Sequence, residues 1–336
     1  MLSGSFSRSV SWLECAIDRV SSVRKRLSSL TYRELLPTDL EEMKNAEWYY
    51  SVQLHDGSVA KGFYEDGLTL LPRLMQRRVD LTGMRCLDIG PCDGLLPIVA
   101  KKGGAALVAV ADYDDRAFDR LHYLQAIHRC QLELNVVGRA HNAKDLLRKY
   151  RAGFDYINLS GVLYHVTSPI DVLAAARTLL RPNGLMIVST IGLIAPDRYV
   201  IEFNNNGRLQ HEHTTFWYIS LPLLDYMLRL LCLRPIDVAA WGTDGHRNVS
   251  VLCRATERPI ARADDPWMDY CAAHSWELGD FHRSCAAAPL PQSRIALREG
   301  DDREVVSLYD HILATGPLAE ARSPRDGHLL MLDDTE

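Results

Sequence analysis

The feature that most constrains the fold is an alternation, between residues 84 and 190, of short apolar segments with helical patterns. Parallel strands joined by helices are covered on both faces, so they appear in a sequence as almost continuous apolar runs. The segments predicted as strands are MRCLDI, ALVAVA, LELNVV, FDYINL and LMIVST. The alternation therefore predicts an α/β protein with a doubly wound, mostly parallel sheet.

The sequence after the fifth strand predicts two more strands. A helical pattern, LPLLDYMLRLLCL, is followed by the strand-like runs RPIDVAAWG and RNVSVLCRA. The residues GTDGHR between those runs are typical of a hairpin connection, which would reverse the last strand. We therefore predict a seven-stranded sheet with one antiparallel strand, and an aromatic-rich insertion at residues 191–220.

Patterns on either side of the sheet divide the chain into three parts. Residues 1–60 are helical by pattern and are predicted to form an N-terminal helical cap. Residues 61–258 form the predicted α/β domain, including the insertion. Residues 259–336 alternate helical patterns with polar spacers, which predicts a partly helical C-terminal extension.

Composition limits the partners and the location. The chain has 336 residues, of which 47% are hydrophobic, enough to fill a core. Its net charge of -5 provides no general attraction for a phosphate backbone, which disfavours nucleic acid. We read no signal peptide and no membrane span, so we expect a cytoplasmic protein with no membrane partner.

Cysteine and histidine spacing argues against a metal site. The eight cysteines include no CxxC pair, which favours a reducing compartment and disfavours structural zinc. His211 and His213 flank Glu212, but no further Cys, His or acid lies at ligand spacing. We therefore expect no metal cofactor.

The loop after the first strand, in CLDIGPCDGLLP, has the position of a nucleotide-binding turn. It lacks the glycine spacing that cradles a pyrophosphate, and Pro91 removes one backbone N–H. Asp88 and Asp93 also place negative charge where a pyrophosphate would lie. These features favour a nucleoside ligand with a positively charged portion, such as S-adenosylmethionine.

The same segment resembles the first motif of the doubly wound S-adenosylmethionine-dependent methyltransferases, hydrophobic-D-x-G-x-x-x-G, through Asp88, Gly90 and Gly94. The resemblance implies S-adenosylmethionine as the cofactor, with the two glycines allowing its close approach and Asp88 facing its amino group. Pro91 is included in the expected cofactor site. The alternative is an ordinary strand–helix turn in which Asp88 only favours the helix N-terminus.

Further cofactor contacts are expected at the ends of the next strands. Asp112 lies 24 residues after Asp88, where an acid can accept both ribose hydroxyls, and Tyr113 follows it. The family resemblance places His141, Asn142 and Ala143 near the adenine edge, although a polar turn is an equal alternative there. Ser160 and Gly161, at the exit of the fourth strand, complete the expected cofactor site.

The run GVLYH after the fourth strand resembles the branch of the family that contains tRNA wobble-uridine carboxymethyl transfer enzymes. The segment EWYYSVQLHDGSVAKGFYEDG before the sheet resembles the same branch, and together the likeness covers residues 45 to 255. In that branch a Lys and the Tyr of this run help to hold a carboxylated cofactor. By motif position these residues correspond to Lys61 and Tyr164.

Aromatic and basic side chains near the predicted cleft are the candidates for catalysis and acceptor binding. Aromatic faces attract a sulfonium without competing as nucleophiles. Tyr164 and His165 are the catalytic candidates, His165 as a general base with a structural role as its alternative. The candidates for binding the acceptor are Lys61 and four aromatic residues, each of which has a core position as its alternative: Trp48, Tyr49, Phe216 and Trp217.

These features predict methyl transfer from S-adenosylmethionine to a small metabolite, with specialised metabolism as the setting considered. One alternative is a cyclase in which the amine of the cofactor attacks its own chain and expels methylthioadenosine. A second is a tRNA wobble-base enzyme, and a third is a non-catalytic module that binds the cofactor. A homodimer is left open.

Overall fold

The computed structural model describes residues 37–54, 56–62, 67–205, 214–242, 245–260, 268, 270, 274–287 and 290–315. His211, Glu212, His213 and the first 36 residues of the predicted cap lie outside this range. The strands are β1 (Val52–Gln53), β2 (Val59–Ala60), β3 (Arg85–Ile89), β4 (Leu107–Asp112), β5 (Glu133–Val136), β6 (Phe154–Ser160), β7 (Leu180–Leu193), β8 (Ile201–Phe203), β9 (Trp217–Ser220), β10 (Leu233–Trp241) and β11 (His246–Ala255).

Eight α-helices and three 3₁₀ helices connect and flank the strands in the described part of the chain. The α-helices are α1 (Pro37–Lys44), α2 (Gly67–Arg77), α3 (Leu95–Lys102), α4 (Asp119–Ile127), α5 (Pro169–Leu179), α6 (Leu221–Leu230), α7 (Trp276–Ala287) and α8 (Leu308–Thr315). The 3₁₀ helices are Asp115–Phe118, Ala140–Arg148 and Leu163–His165. None of the helices described is long and apolar enough to cross a membrane.

The central sheet confirms the predicted α/β fold. Its strands follow the order β10-β11-β7-β6-β3-β4-β5. The strands from β7 to β5 are all parallel, whereas β11 runs antiparallel to both of its neighbours. The reversed strand is therefore the last one, because the short connection between β10 and β11 forms the predicted hairpin.

Two regions contain strands that the patterns did not predict. Within the expected insertion, β9 pairs in parallel with the end of β7, and β8 pairs antiparallel with β9, which makes the sheet nine-stranded. Residues 52–60, predicted to be helical, instead form the two-stranded hairpin β1–β2. The pairing of β9 with β7 depends on distant residues, and β1 and β2 have only two residues each, too few to show an alternating pattern.

Both faces of the sheet are buried, which explains the continuous apolar runs. On β7, Met186 and Val188 pack into the core shared with α5 and α6. The intervening Leu185 and Ile187 pack into the opposite core, which contains residues of α3 and α4. Alternate side chains of one strand thus enter different cores, as in other doubly wound sheets.

The C-terminal extension packs at the edge of the sheet, around the start of β10. Leu297 bridges to Val79, and the N–H of Val305 donates to the carbonyl of Pro235 at 2.9 Å. The buried guanidinium of Arg229 pairs with Asp225 at 3.0 Å and donates to the carbonyl of Val305 at 2.6 Å. Since a buried cation is costly without partners, this pairing fixes where the extension crosses the domain.

The substitution Gly94→Ala tests how tightly the loop after β3 is packed. Its φ is +89°, and a Cβ there would lie 2.3 Å from the Cδ2 atom of Leu121. We expect Gly94→Ala to lower the free energy of unfolding by roughly 2–4 kcal/mol, from backbone strain plus overpacking. Denaturant unfolding measures the change.

The matched control is Gly57→Ala, because Gly57 also has a positive φ, +79°, but no atom lies within 4 Å of its added Cβ. This control carries only the backbone strain, about 1–2 kcal/mol. Equal losses in the two variants would contradict the packing role of Gly94.

Candidate active site

A cleft of 1410 Å³ opens at the carboxyl ends of β3, β4 and β6. This is the edge at which open α/β sheets bind their ligands. The cleft exceeds the roughly 300–1,000 Å³ of a typical pocket for one small ligand. Side chains reach it from the β4–β5 side and from the β7–β11 side, so it has room for two ligands.

The loop between β3 and α3 forms part of the floor. Gly90 has φ +71°, and a Cβ there would lie 2.6 Å from Cγ2 of Val162. Gly90 and Pro91 line the cleft. Gly94 does not line it in the structure: it precedes α3 and faces Leu121. The glycine at position 94 is therefore needed for packing between the loop and α4.

Asp88 lies at the floor, behind Asn158. The Nδ2 of Asn158 donates to Oδ1 of Asp88 at 3.0 Å, and the hydroxyl of Ser160 donates to Oδ1 of Asn158 at 2.6 Å. Burial raises the pKa of Asp88 to about 7; the Asn158 hydrogen bond lowers it and the charge of Asp112 raises it further. A cation bound here would stabilise the ionised form of Asp88, which burial disfavours.

The β4–β5 side carries the residues expected at the nucleoside. One oxygen of Asp112 accepts the N–H of Tyr113 at 2.6 Å, and both residues line the cleft. Burial raises the pKa of Asp112 above its ordinary value. Arg139 and His141 also line this side. Asn142 does not, because its Nδ2 donates to the carbonyl of Val137 at 3.3 Å within the turn.

Tyr164 and His165 are brought together at the mouth of the cleft. Their rings lie 4.3 Å apart, edge to face, and both line the cleft. A Cβ at Gly161 would lie 3.2 Å from the Tyr164 hydroxyl, which locates that hydroxyl above the exit of β6. The Nδ1 of His165 lies 2.8 Å from the carbonyl of Thr214. Because a carbonyl only accepts, Nδ1 carries a proton, and in the corresponding neutral tautomer Nε2 is an acceptor.

Tyr50 lines the cleft close to Tyr164. Burial raises the pKa of its hydroxyl well above the ordinary value, and the neighbouring Cys92, Tyr164 and Asp93 raise it further. Tyr50 lines the cleft together with Cys92. The phenol of Tyr50 therefore stays neutral beside Tyr164.

The five predicted acceptor residues separate into two groups. Tyr49 and Phe216 line the cleft. Trp48 does not: it is 2% exposed in the core, and its Nε1 donates to the carbonyl of Met43 at 2.9 Å. Trp217 does not line the cleft either, and its Nε1 donates to the carbonyl of Val166 at 2.8 Å. Lys61 is exposed and also does not line the cleft.

Sequence reasoning missed the wall on the β7–β11 side. Ser189, Trp241, His246, Asn248 and Ser250 all line it. Within RNVSVLCRA polar and apolar residues alternate from Asn248 to Val251, so this part of β11 has one polar face although the strand is internal to the sheet. That alternation was the available signal, since an internal strand of an α/β sheet is normally apolar on both faces.

Residues 63–229 match the family described as a methyltransferase domain. The match spans the loop after β3, the tip of β4 and the exit of β6, which are the elements that form the cleft. The matched residues belong to the class I S-adenosylmethionine-dependent methyltransferases. Nothing in the match supports the narrower likeness of this methyltransferase to the tRNA wobble-uridine branch.

Curated relatives of this methyltransferase include proteins named ubiquinone biosynthesis O-methyltransferase. The Xylella fastidiosa protein (strain M23) is 27% identical over 175 residues, covering 50% of this chain and 62% of the relative. The Xanthomonas campestris pv. campestris protein (strain B100) is 31% identical over 114 residues, covering 34% and 46%. The methyltransferase thus spans less than two thirds of the length of these relatives.

Solved structures similar to this methyltransferase include the N-terminal domain of EvdMO1 with SAH bound. The TM-score is 0.48 at 15% identity, with 67% of this chain and 99% of that chain covered. Another is magnesium protoporphyrin IX methyltransferase from Synechocystis PCC 6803 with bound SAH, with a TM-score of 0.40 at 13% identity. That alignment covers 53% of this chain and 76% of the other.

Asp88 should have opposite effects on stability and on cofactor affinity. The folded protein holds a proton on Asp88 up to a pKa of about 7, whereas the unfolded chain loses it near 3.8. Stability therefore falls as pH rises between these values. We expect Asp88→Asn to be more stable than wild type at pH 8, by at most on the order of 4 kcal/mol, with the difference vanishing near pH 4.

The same substitution should weaken S-adenosylmethionine binding by roughly ten- to hundredfold, because a charge-assisted hydrogen bond to the ammonium is lost. Asn keeps the oxygen that accepts from Asn158. Denaturant unfolding at the two pH values and calorimetric titration measure the pair of effects. Unchanged cofactor affinity in the variant would remove Asp88 from the binding site.

Proposed function

We propose that the protein transfers the methyl group of S-adenosylmethionine to a hydroxyl of a small acceptor. The observation that carries this proposal is the two-sided cleft, with its charged side chains on the β4–β5 side and hydroxyl and amide side chains on the β7–β11 side. The O-methyltransferase names of the curated relatives agree with it. The proposal needs a place for each substrate and a means of activating the acceptor.

The cofactor is assigned to the side of the cleft that β3, β4 and β5 form. Asp112, at the tip of β4, would accept the ribose hydroxyls, and His141 would face the adenine edge. Asp88, through its buried carboxylate, would attract the ammonium of the methionine portion. With the nucleoside on this side, the methionine portion extends across Gly90 towards Tyr164.

Methyl transfer is an in-line displacement at the carbon attached to sulfur, so alignment and exclusion of water contribute most of the catalysis. The positive charge of the sulfonium is dispersed in the transition state. The aromatic rings of Tyr50 and Tyr164 both line the cleft, close to each other. Aromatic faces at this position would stabilise the cation without providing a competing nucleophile.

His165 is the group proposed to take the acceptor proton. Its Nδ1–H is held by the carbonyl of Thr214, which fixes the tautomer and leaves the Nε2 lone pair for the acceptor hydroxyl. Thr214 lies near the end of the insertion. In the same segment, Phe216 donates its N–H to the carbonyl of Tyr164 at 2.7 Å. The insertion thereby positions both candidate catalytic residues.

The cleft weighs against the alternatives. A cyclase that consumes only its cofactor leaves the β7–β11 side without a ligand. A tRNA enzyme needs basic residues at the cleft mouth, but Arg120, one of the two described arginines there, is paired with Asp93 at 3.1 Å. A binding module without turnover needs no oriented histidine. Each observation favours a reaction between two small substrates.

Incubation of the purified protein with S-adenosylmethionine alone separates methyl transfer from cyclisation. We expect bound, unconsumed cofactor by liquid chromatography and mass spectrometry, and S-adenosylhomocysteine only after hydroxylated small molecules are added. Methylthioadenosine above the uncatalysed background would identify the cofactor itself as the substrate and would contradict the proposal.

A matched pair of substitutions tests His165. Asn can keep a donor near the position of Nδ1 while removing Nε2, whereas Gln keeps a polar group near Nε2 and loses the Thr214 contact. We expect His165→Asn to lower kcat roughly 10²-fold or more, with S-adenosylhomocysteine affinity within about twofold of wild type. The assay uses the first acceptor found in the incubation series. Full turnover in the Asn variant would show that His165 is not the general base and has only a structural role.

A further inference from the structure

Three polar side chains line the cleft from the hairpin that β10 and β11 form: Trp241, His246 and Asn248. Trp241 and Asn248 are register partners on the two strands. His246 lies two residues before Asn248 and therefore on the same face of β11. All three are half-buried. We refer to these three residues as the hairpin cluster.

The hydrogen-bonding groups of the hairpin cluster are not used within the described part of the chain. No described residue supplies a hydrogen-bond partner to the indole N–H of Trp241, the amide of Asn248 or the ring nitrogens of His246. The serines of the same wall differ, because the Oγ atoms of Ser189 and Ser250 lie 2.5 Å apart. Unpaired groups at a cleft surface bind water until a ligand replaces it.

The hairpin cluster adjoins the candidate catalytic residues. The ring of His246 stacks on that of Tyr218, with the ring centres 5.6 Å apart and the planes inclined by 23°. Tyr218 is fully buried beside Ile191, and Tyr164 packs against these two residues. A ligand held by the hairpin cluster would therefore lie beside Tyr164, towards which the methionine portion of the cofactor is proposed to extend.

The wall around the hairpin cluster offers no ionic partner to a ligand. Among the described residues, no Lys, Arg, Asp or Glu lines the cleft from β7, β10 or β11. A carboxylate or phosphate bound there would lose its water without gaining a cation, which is unfavourable. The part of the acceptor that contacts this wall is therefore uncharged.

The number and kinds of unpaired groups point to a ligand with several hydroxyls. An indole N–H donates, an amide donates and accepts, and an imidazole does one or both. A ligand with a single hydroxyl would displace water from most of these groups without replacing its hydrogen bonds, which costs affinity. Each hydroxyl of a sugar both donates and accepts, and the C–H face of the sugar ring can pack on an indole.

We propose that the hairpin cluster anchors an uncharged sugar ring, so that the acceptor is a glycoside with a hydroxyl that is methylated. This inference rests on the proposed function, which assigns the β7–β11 side to the acceptor. It goes further by naming the substrate class and the residues that select it. Trp241 packs against the ring, and Asn248 binds adjacent hydroxyls through its amide donor and acceptor.

The test compares sugars with an uncharged aromatic diol. The methyl glycosides of glucose, galactose, mannose, fucose and rhamnose are titrated by ligand-observed NMR against full-length protein loaded with S-adenosylhomocysteine, so that no methyl transfer occurs. Catechol is titrated in the same way. We expect at least one glycoside to bind roughly tenfold more tightly than catechol.

Two variants and a matched control test the hairpin cluster itself. Asn248→Leu keeps a side chain of similar size without hydrogen-bonding groups, and Trp241→Ala removes the indole. Each should raise the dissociation constant of the best glycoside roughly tenfold, with S-adenosylhomocysteine affinity within about twofold of wild type. Trp276→Ala is the control, because Trp276 is 77% exposed on α7 and does not line the cleft. This control should bind the glycoside as wild type does.

The failures are distinguishable. If S-adenosylhomocysteine does not bind to the wild-type protein, the proposed function fails. If it binds normally, the sugar proposal alone is overturned when no glycoside binds up to its solubility limit, or when catechol binds as tightly as the best glycoside. An unchanged glycoside affinity in Asn248→Leu would also overturn it. Should that variant lose S-adenosylhomocysteine affinity through misfolding, Trp241→Ala decides by the same criterion.

Discussion

The carboxylate of Asp93 is the contact on which the geometry of the cleft depends. It is fully buried, and its Oδ2 accepts the backbone N–H groups of Tyr49 and Tyr50 at 2.6 and 2.9 Å. Arg120, on α4, forms an ion pair with Oδ1 at 3.1 Å. One side chain thereby joins the loop after β3, the segment before the sheet and α4. Breaking such a buried pair typically costs about 3–5 kcal/mol, so the three parts are held as a unit.

Arg120 extends this connection to the aromatic residues. Its guanidinium carbon lies 5.9 Å from the ring centre of Trp48 and 5.3 Å from that of Tyr49. Trp48 also contacts the ring of Tyr123 at 6.0 Å inside the core. The two neighbouring aromatics therefore have different tasks: Trp48 anchors the segment, and Tyr49 reaches the cleft because that anchor holds it there.

The sequence predicted the parts of the fold that depend on local periodicity. The seven main strands, the reversed last strand and the loop after β3 follow from apolar runs and turn residues, which act over a few positions. The directions of side chains at the site depend on distant packing. Trp48 and Trp217 resembled Tyr49 and Phe216 in the sequence, yet the first two donate their indole N–H groups to backbone carbonyls and do not line the cleft. The pairing of β8 with β9 likewise depends on the end of β7.

The same limit applies to the two acids of the loop, which the sequence treated alike as negative charges favouring a cationic ligand. In the structure Asp93 receives two backbone N–H groups and a guanidinium. Burial raises the pKa of Asp93 above its ordinary value, and these three contacts offset part of that rise. Asp88 receives one amide N–H from Asn158, and burial raises its pKa to about 7. Of these two acids, Asp93 already has a cationic partner, whereas Asp88 has only the neutral amide of Asn158 among the described contacts, so Asp88 is the one that would pair with a ligand cation. Unequal satisfaction of two buried carboxylates five residues apart therefore separates the structural acid from the binding acid.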